Sequence, residues 1–196
     1  MQILWQWLFP EKKTDLRFTL FIESSPLNVP FTYTALYQYS DSLRKALHEI
    51  KFKKNQNLIN QISLQIIKDY MPHEIDLIVP IPLHPLRLQE RGFDHTYELI
   101  HKFAYFHKIP LGLDIVSRST NTKPMFELNP VDRQTEVQDS FDVWPNQGNR
   151  LTGKNILLFD DIITTGNTLV AVYTELMKYQ PKSIIALGVT RPSFRQ

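Results

Sequence analysis

The residues with the most chemistry in this 196-residue chain lie between 155 and 179, in "NILLFDDIITTGNTLVAVYTELMKY". Four apolar residues, Ile156 to Phe159, run into two adjacent acids, Asp160 and Asp161, then into a Thr- and Gly-containing loop, then into a helical pattern. Backbone N–H groups from Thr164 to Thr168, the hydroxyls of Thr164, Thr165 and Thr168, and the positive end of a helix dipole suit a phosphate. Gly166 lets the chain approach that phosphate closely, and Asn167 completes the loop. Two carboxylates would repel a phosphate, yet they can accept hydrogen bonds from the two cis hydroxyls of a ribose while a divalent cation on the ligand offsets their charge. A ribose 5-phosphate fits both halves of the motif. The plainer alternative is a turn after a buried strand followed by ordinary capping, since Thr and Asn are common capping residues.

A rival phosphate motif precedes it. "GNRLTGKN", residues 148 to 155, matches G-x-x-x-x-G-K, and "ILLFDD" resembles the acidic strand with which nucleotidases hold magnesium. The context opposes it: Asn155 stands where a Ser or Thr would bind the metal, and the loop leads into a strand instead of out of one.

The elements that must position these residues follow from hydrophobic period. From Ser42 to Lys53 the residues Leu43, Ala46, Leu47 and Ile50 fall at helical spacing, and "LINQISLQIIKDYM" repeats the period. "IDLIVPIP" is a short apolar run closed by prolines, "TYELIHKFAYF" is helical, and "LDIVSRS" is a strand candidate. "NILLFDD" reads as strand, residues 166 to 179 as helix and "SIIALGVTR" as strand. Strand and helix alternate, which predicts an α/β fold with a mainly parallel sheet flanked by helices. Such sheets bind ligands beyond the carboxyl ends of their strands, where Asp160 to Thr168 sits. Residues 1–34 form an N-terminal appendage, with Trp5, Trp7, Leu8 and Phe9 expected to pack on the main domain at 35–196 or to stack on bases.

Composition excludes several classes. With no cysteine and six scattered His there are no disulfides, no thiol catalysis and no Cys-rich zinc module. A net charge of +2 does not announce a nucleic-acid binder, so any basic surface must come from local clustering. No apolar window is long enough for a membrane span, and "MQILWQWLFP" lacks signal-peptide character, so the expected location is cytoplasmic.

"ILLFDDIITTGNTL" resembles the phosphoribosyl pyrophosphate (PRPP) motif of type I phosphoribosyltransferases. "IVPIPLHPLRLQERGFDHTYELI", residues 78 to 100, is similar to a second signature, that of the ComF-type, competence-associated phosphoribosyltransferase-like family. "YSDSLRKALHEIKFKKN" before it and "RSTNTKPMFELNPVDRQTEVQDSF" after it fit the same family in the same order, over roughly residues 35 to 192. The resemblance implies a five-stranded, mainly parallel sheet with a smaller hood, a mobile loop, and a link to uptake of single-stranded DNA in natural transformation.

By that resemblance Asp160 and Asp161 hold the ribose hydroxyls and act in catalysis, and Thr164, Thr165, Gly166, Asn167 and Thr168 cradle the 5-phosphate. Arg87 and Arg91 are the cations placed near the pyrophosphate, with surface solvation the alternative. His84 and His95 are candidate acids or bases, with a structural role the alternative. The loop from Arg118 to Arg133 would bring Lys123 and Arg133 to the phosphates. Magnesium would arrive with the pyrophosphate. Many relatives begin with a cysteine-rich zinc module that this chain lacks, so zinc is not expected. The implied reaction is displacement of pyrophosphate from C1 of the ribose by an acceptor the sequence does not name. The alternative is a non-catalytic nucleotide- or DNA-binding protein on the same fold. For DNA, "RKALHEIKFKK" offers Arg44, Lys45, Lys51, Lys53 and Lys54 beside Phe52, a mixture suited to phosphate contacts and base stacking; a solvated helix face is the alternative.

Overall fold

The computed structural model describes residues 17–21, 30–118 and 141–191. Its main sheet has five strands: β1 (Arg17–Phe21), β2 (Pro30–Gln38), β3 (Leu77–Pro80), β6 (Asn155–Ile162) and β7 (Ser183–Arg191), in the order β1-β2-β7-β6-β3. Only β1 runs antiparallel, pairing with β2; the remaining pairs are parallel. A separate two-stranded antiparallel ribbon joins β4 (Val116–Arg118) to β5 (Phe141–Val143).

Among the described residues five helices connect the strands: α1 (Asp41–Lys53), α2 (Gln56–Asp69), α3 (Pro85–Arg91), α4 (His95–His107) and α5 (Asn167–Met177). Their starts carry capping chemistry. The Ser40 hydroxyl accepts from Leu43 N, Asn55 caps α2, and the Asp94 carboxylate accepts from Thr96 N and Tyr97 N at 2.8 and 3.2 Å. No helix among the described residues is long and apolar enough to cross a membrane.

Strand alternation divides the core. Ile156 and Leu158 of β6 face one side, with Leu77, Val79, Leu169, Val172 and Leu176. Leu157 and Phe159 face the other, with Leu43, Leu47 and Ile50 of α1, Ile59, Ile62 and Ile66 of α2, and Leu99 and Phe103 of α4. The sheet therefore lies between α5 with the β4–β5 ribbon on one side and α1, α2 and α4 on the other, the layered α/β arrangement that the alternating pattern predicts.

The described part of the expected appendage, β1 and the first half of β2, belongs to this sheet. β2 pairs with β7 from Tyr33↔Ala186 to Gln38↔Arg191, so the expected boundary between residues 34 and 35 falls inside a strand. "FTYTALYQ" buries Phe31, Tyr33, Ala35 and Tyr37 at period two, the alternation that marks a strand packed on at least one face. Trp5, Trp7, Leu8, Phe9, Lys123 and Arg133 lie outside the described residues.

Candidate functional site

β6 is the third of four consecutive parallel strands, with β7 and β3 hydrogen-bonded on its two sides. Its carboxyl end carries the acids, and the chain turns just beyond: Ile163 N donates to Thr190 O at 2.9 Å, Thr164 and Thr165 are exposed, and Gly166 takes φ 83°. That left-handed conformation is one L side chains resist, so the loop needs glycine there. Gly166 is the N-cap of α5 and supplies no capping side chain; Asn167 N approaches Thr165 Oγ1 at 3.4 Å, and the first helical bond runs from Val170 N to Gly166 O at 2.9 Å. Asn167 and Thr168 are half-buried in the first turn. The five residues Thr164 to Thr168 are thus brought to one helix N-terminus, one residue pair beyond the two acids.

The acids themselves diverge. Successive residues of a strand point to opposite faces, so Asp160 shares the side of Ile156 and Leu158, and Asp161 that of Leu157 and Phe159. Asp161 meets Lys51 of α1, with Nζ 2.6 Å from Oδ2, and His95 of α4, with Nε2 3.6 Å from Oδ1. Its side chain is only 6% exposed and that of His95 3%. Asp160 is half-buried, and one of its oxygens accepts the Asp161 backbone N–H at 2.8 Å. Burial, then the neighbouring Asp161 charge, push the Asp160 carboxyl well above the usual carboxylate range. On Asp161 burial acts in the same direction, but His95 and Lys51 outweigh it and hold that carboxyl below the range.

The cations lie on two elements. α3 begins at Pro85 behind the His84 cap, whose Nδ1 accepts from Leu86 N at 3.2 Å. Arg87 on α3 is exposed, whereas Arg91 is half-buried, with its guanidinium 3.3 Å from His95 Nδ1 and 5.2 Å above the Phe52 ring. Arg118 at the end of β4 lies over Phe141, and burial followed by the Arg87 charge lowers its pKa while Asp160 opposes the shift. His84 is lowered by burial and then by Arg118 and Arg87. Asp160, Arg118, Arg87 and His84 therefore share one electrostatic neighbourhood, and Arg91, which contacts His95, feels both Arg87 and Asp161.

The basic run on α1 splits in the same way. Arg44 pairs with Asp41 at 3.6 Å, Lys53 with Glu49 at 2.7 Å, and Lys54 with Glu98 at 3.7 Å while lying over Phe93; these stay exposed. Lys51 turns inward to Asp161. Its position was legible: Leu43, Leu47 and Lys51 are spaced four apart, which puts the lysine on the buried stripe of the helix. Arg118 had no such signal, because only the pairing of β4 with β5 brings it to the site.

Comparison with known proteins agrees with this architecture. Residues 49–192 match the family described as the phosphoribosyl transferase domain. The chain is 28% identical to competence protein ComFC of Bacillus subtilis over 69% of this chain and 53% of that one. It is 26% identical to competence protein F of Haemophilus influenzae over 78% and 69% of the two chains. It is 22% identical to the DNA utilization protein YhgH of Escherichia coli over 71% and 63%. The chain thus spans about half the length of the first of these relatives. A mainly parallel sheet in which an interior strand ends in two acids, a glycine-turned Thr loop and a helix N-terminus, within a span matched from 49 to 192, makes this chain a member of the phosphoribosyl transferase domain family, in its ComF-type group.

Proposed function

We propose that the chain binds PRPP, or a related ribose 5-phosphate, together with magnesium, and acts in competence by handling incoming single-stranded DNA. The observation that carries the first half is the loop from Thr164 to Thr168, which opens on an α5 N-terminus with no side-chain cap from Gly166, one residue pair beyond the acids. In this reading the loop N–H groups and Thr hydroxyls hold the 5-phosphate, and the acid pair at the end of β6 sets the ribose. Arg87 and Arg118 face the diphosphate. Asp160, whose carboxyl burial holds toward the protonated form in the unliganded chain, would offer the hard oxygens that magnesium prefers once the cation displaces its proton, which fits an ion carried in on the diphosphate. When bound, that ion would neutralise diphosphate charge. The chain's own work is orientation: C1 of the ribose is held open to a nitrogen nucleophile while cations receive the charge of the leaving group. No protein nucleophile is required. A binding protein that keeps the fold without turnover is the alternative.

The DNA half rests on α1. Lys53, Lys54 and Arg44 are exposed beside Phe52, which is 63% exposed and tilted against His48 with ring centroids 4.5 Å apart. Names of the three relatives point the same way, to competence and DNA utilization.

The loop assignment is tested by phosphorus NMR of PRPP titrated with protein. The 5-phosphate resonance should shift with the wild type and stay in place with Gly166→Val, because a β-branched residue at φ 83° displaces the loop. A shift of equal size with the folded variant removes the phosphate from this loop.

A further inference from the structure

The two acids at the end of β6 point to opposite faces of the sheet, and this divides their work. We propose that Asp161 is an internal anchor, fixed by Lys51, His95 and Arg91 on the α1/α4 side of the sheet, and that Asp160 is the carboxylate that meets the ribose. For its ligand this rests on the phosphoribosyl reading above; for its geometry it stands alone.

Both oxygens of Asp161 lie at ion-pair distance from internal groups, and Oδ2 makes no aligned hydrogen bond. Lys51 Nζ lies 2.6 Å from Oδ2, and His95 Nε2 faces Oδ1 at 3.6 Å. Arg91 Nη1 sits 3.3 Å from His95 Nδ1. A guanidinium only donates, so Nδ1 accepts and the ring hydrogen lies on Nε2, directed at the carboxylate. The chain of contacts continues outward to Phe52, beneath the Arg91 guanidinium at 5.2 Å. Turning Asp161 toward a ligand would leave Lys51, whose side chain is 21% exposed, as a mostly buried charge without its partner. Asp160 has the opposite setting. It lies on the side of the sheet that α5 covers, next to the loop that α5 follows, and its carboxylate accepts the Asp161 backbone N–H at 2.8 Å. Asp161 therefore acts on the ligand through its main chain, which aims Asp160. Lys51, His95 and Arg91 are positioning residues that hold the strand end in place.

The test is a rescue, read by calorimetry with PRPP and magnesium. Asp161→Asn strands Lys51 and should weaken binding tenfold or more; adding Lys51→Met, which removes the stranded charge, should recover at least tenfold. Asp160→Asn should lose tenfold or more and gain nothing from Lys51→Met. Failure of Lys51→Met to rescue Asp161→Asn overturns the anchor role, since a carboxylate that touches ligand cannot be replaced by removing a lysine. Nitrogen NMR of the His95 ring gives an arm that needs no PRPP. Nδ1 should report as acceptor and Nε2 as protonated, with Nε2 shifting in the Asp161→Asn, Lys51→Met pair and not in Asp160→Asn. A ring indifferent to the Asp161 change overturns the proposal even where PRPP binds. If the wild type takes up no PRPP, the phosphoribosyl reading fails by itself and the ring spectrum still decides the anchor.

Discussion

Replacing Lys51 by Met removes the cation 2.6 Å from a carboxylate that is 6% exposed, and leaves it beside His95 and the neighbouring Asp160 carboxyl. Breaking a fully buried pair from one side costs about 3–5 kcal/mol. Lys51 keeps 21% of its side-chain exposure and His95 stays at 3.6 Å, so the cost at neutral pH should fall near about 2–3 kcal/mol. With a urea slope of roughly 2 kcal/mol/M, the unfolding midpoint drops by about 1–1.5 M. The pH dependence has a definite sign. A carboxyl held below its ordinary value of 3.8 adds stability that is fully present above that pH and is lost as pH falls toward the folded value. Without Lys51 the burial of Asp161 is less opposed, so the penalty is largest at neutral pH and shrinks on acidification as the carboxyl takes up a proton. Urea unfolding of wild type and Lys51→Met at pH 7 and pH 4 measures this. A midpoint change under about 0.3 M at pH 7, or an equal loss at both pH values, would refute the buried pair.

The DNA reading predicts that Arg44, Lys53 and Lys54 changed together to Ala lower the slope of log affinity against log salt by about 2 for single-stranded DNA, at about 0.7 per phosphate. A slope unchanged in a salt titration assigns those side chains to solvent. Purified protein should carry no stoichiometric zinc and should not unfold with a chelator, because the chain has no cysteine thiolate to make folding metal-dependent. One zinc per chain by elemental analysis would contradict this.

β6 and its loop were readable because four apolar residues precede Asp160 and Asp161, and because Gly166 sits where the chain needs a left-handed residue before a helix. α3 left no periodic signal: none of its residues is buried, and its marks are Pro85 at its start and Gly92 at φ 71° after its end. β2 carried a period-two pattern in Phe31, Tyr33, Ala35 and Tyr37, but its partner β7 lies some 150 residues on, with Thr34 opposite Leu187. Parallel pairing over such a distance is set by topology and not by local preference. The unequal setting of the two acids was written in strand alternation, which sends Asp160 and Asp161 to opposite faces. Which cation would meet which acid was not, because Lys51, His95 and Arg118 come from α1, α4 and β4.

Calorimetric titration of the wild-type protein with PRPP, in the presence and absence of magnesium, tests the phosphoribosyl reading most directly. Saturable binding with magnesium is expected, weakened tenfold or more without it. Asp160→Asn should likewise cost about 1.5–3 kcal/mol, roughly a tenfold loss or more, for a charged hydrogen bond to the ribose. Absence of binding at millimolar PRPP, or an affinity indifferent to both magnesium and Asp160, would contradict a phosphoribosyl ligand at the end of β6.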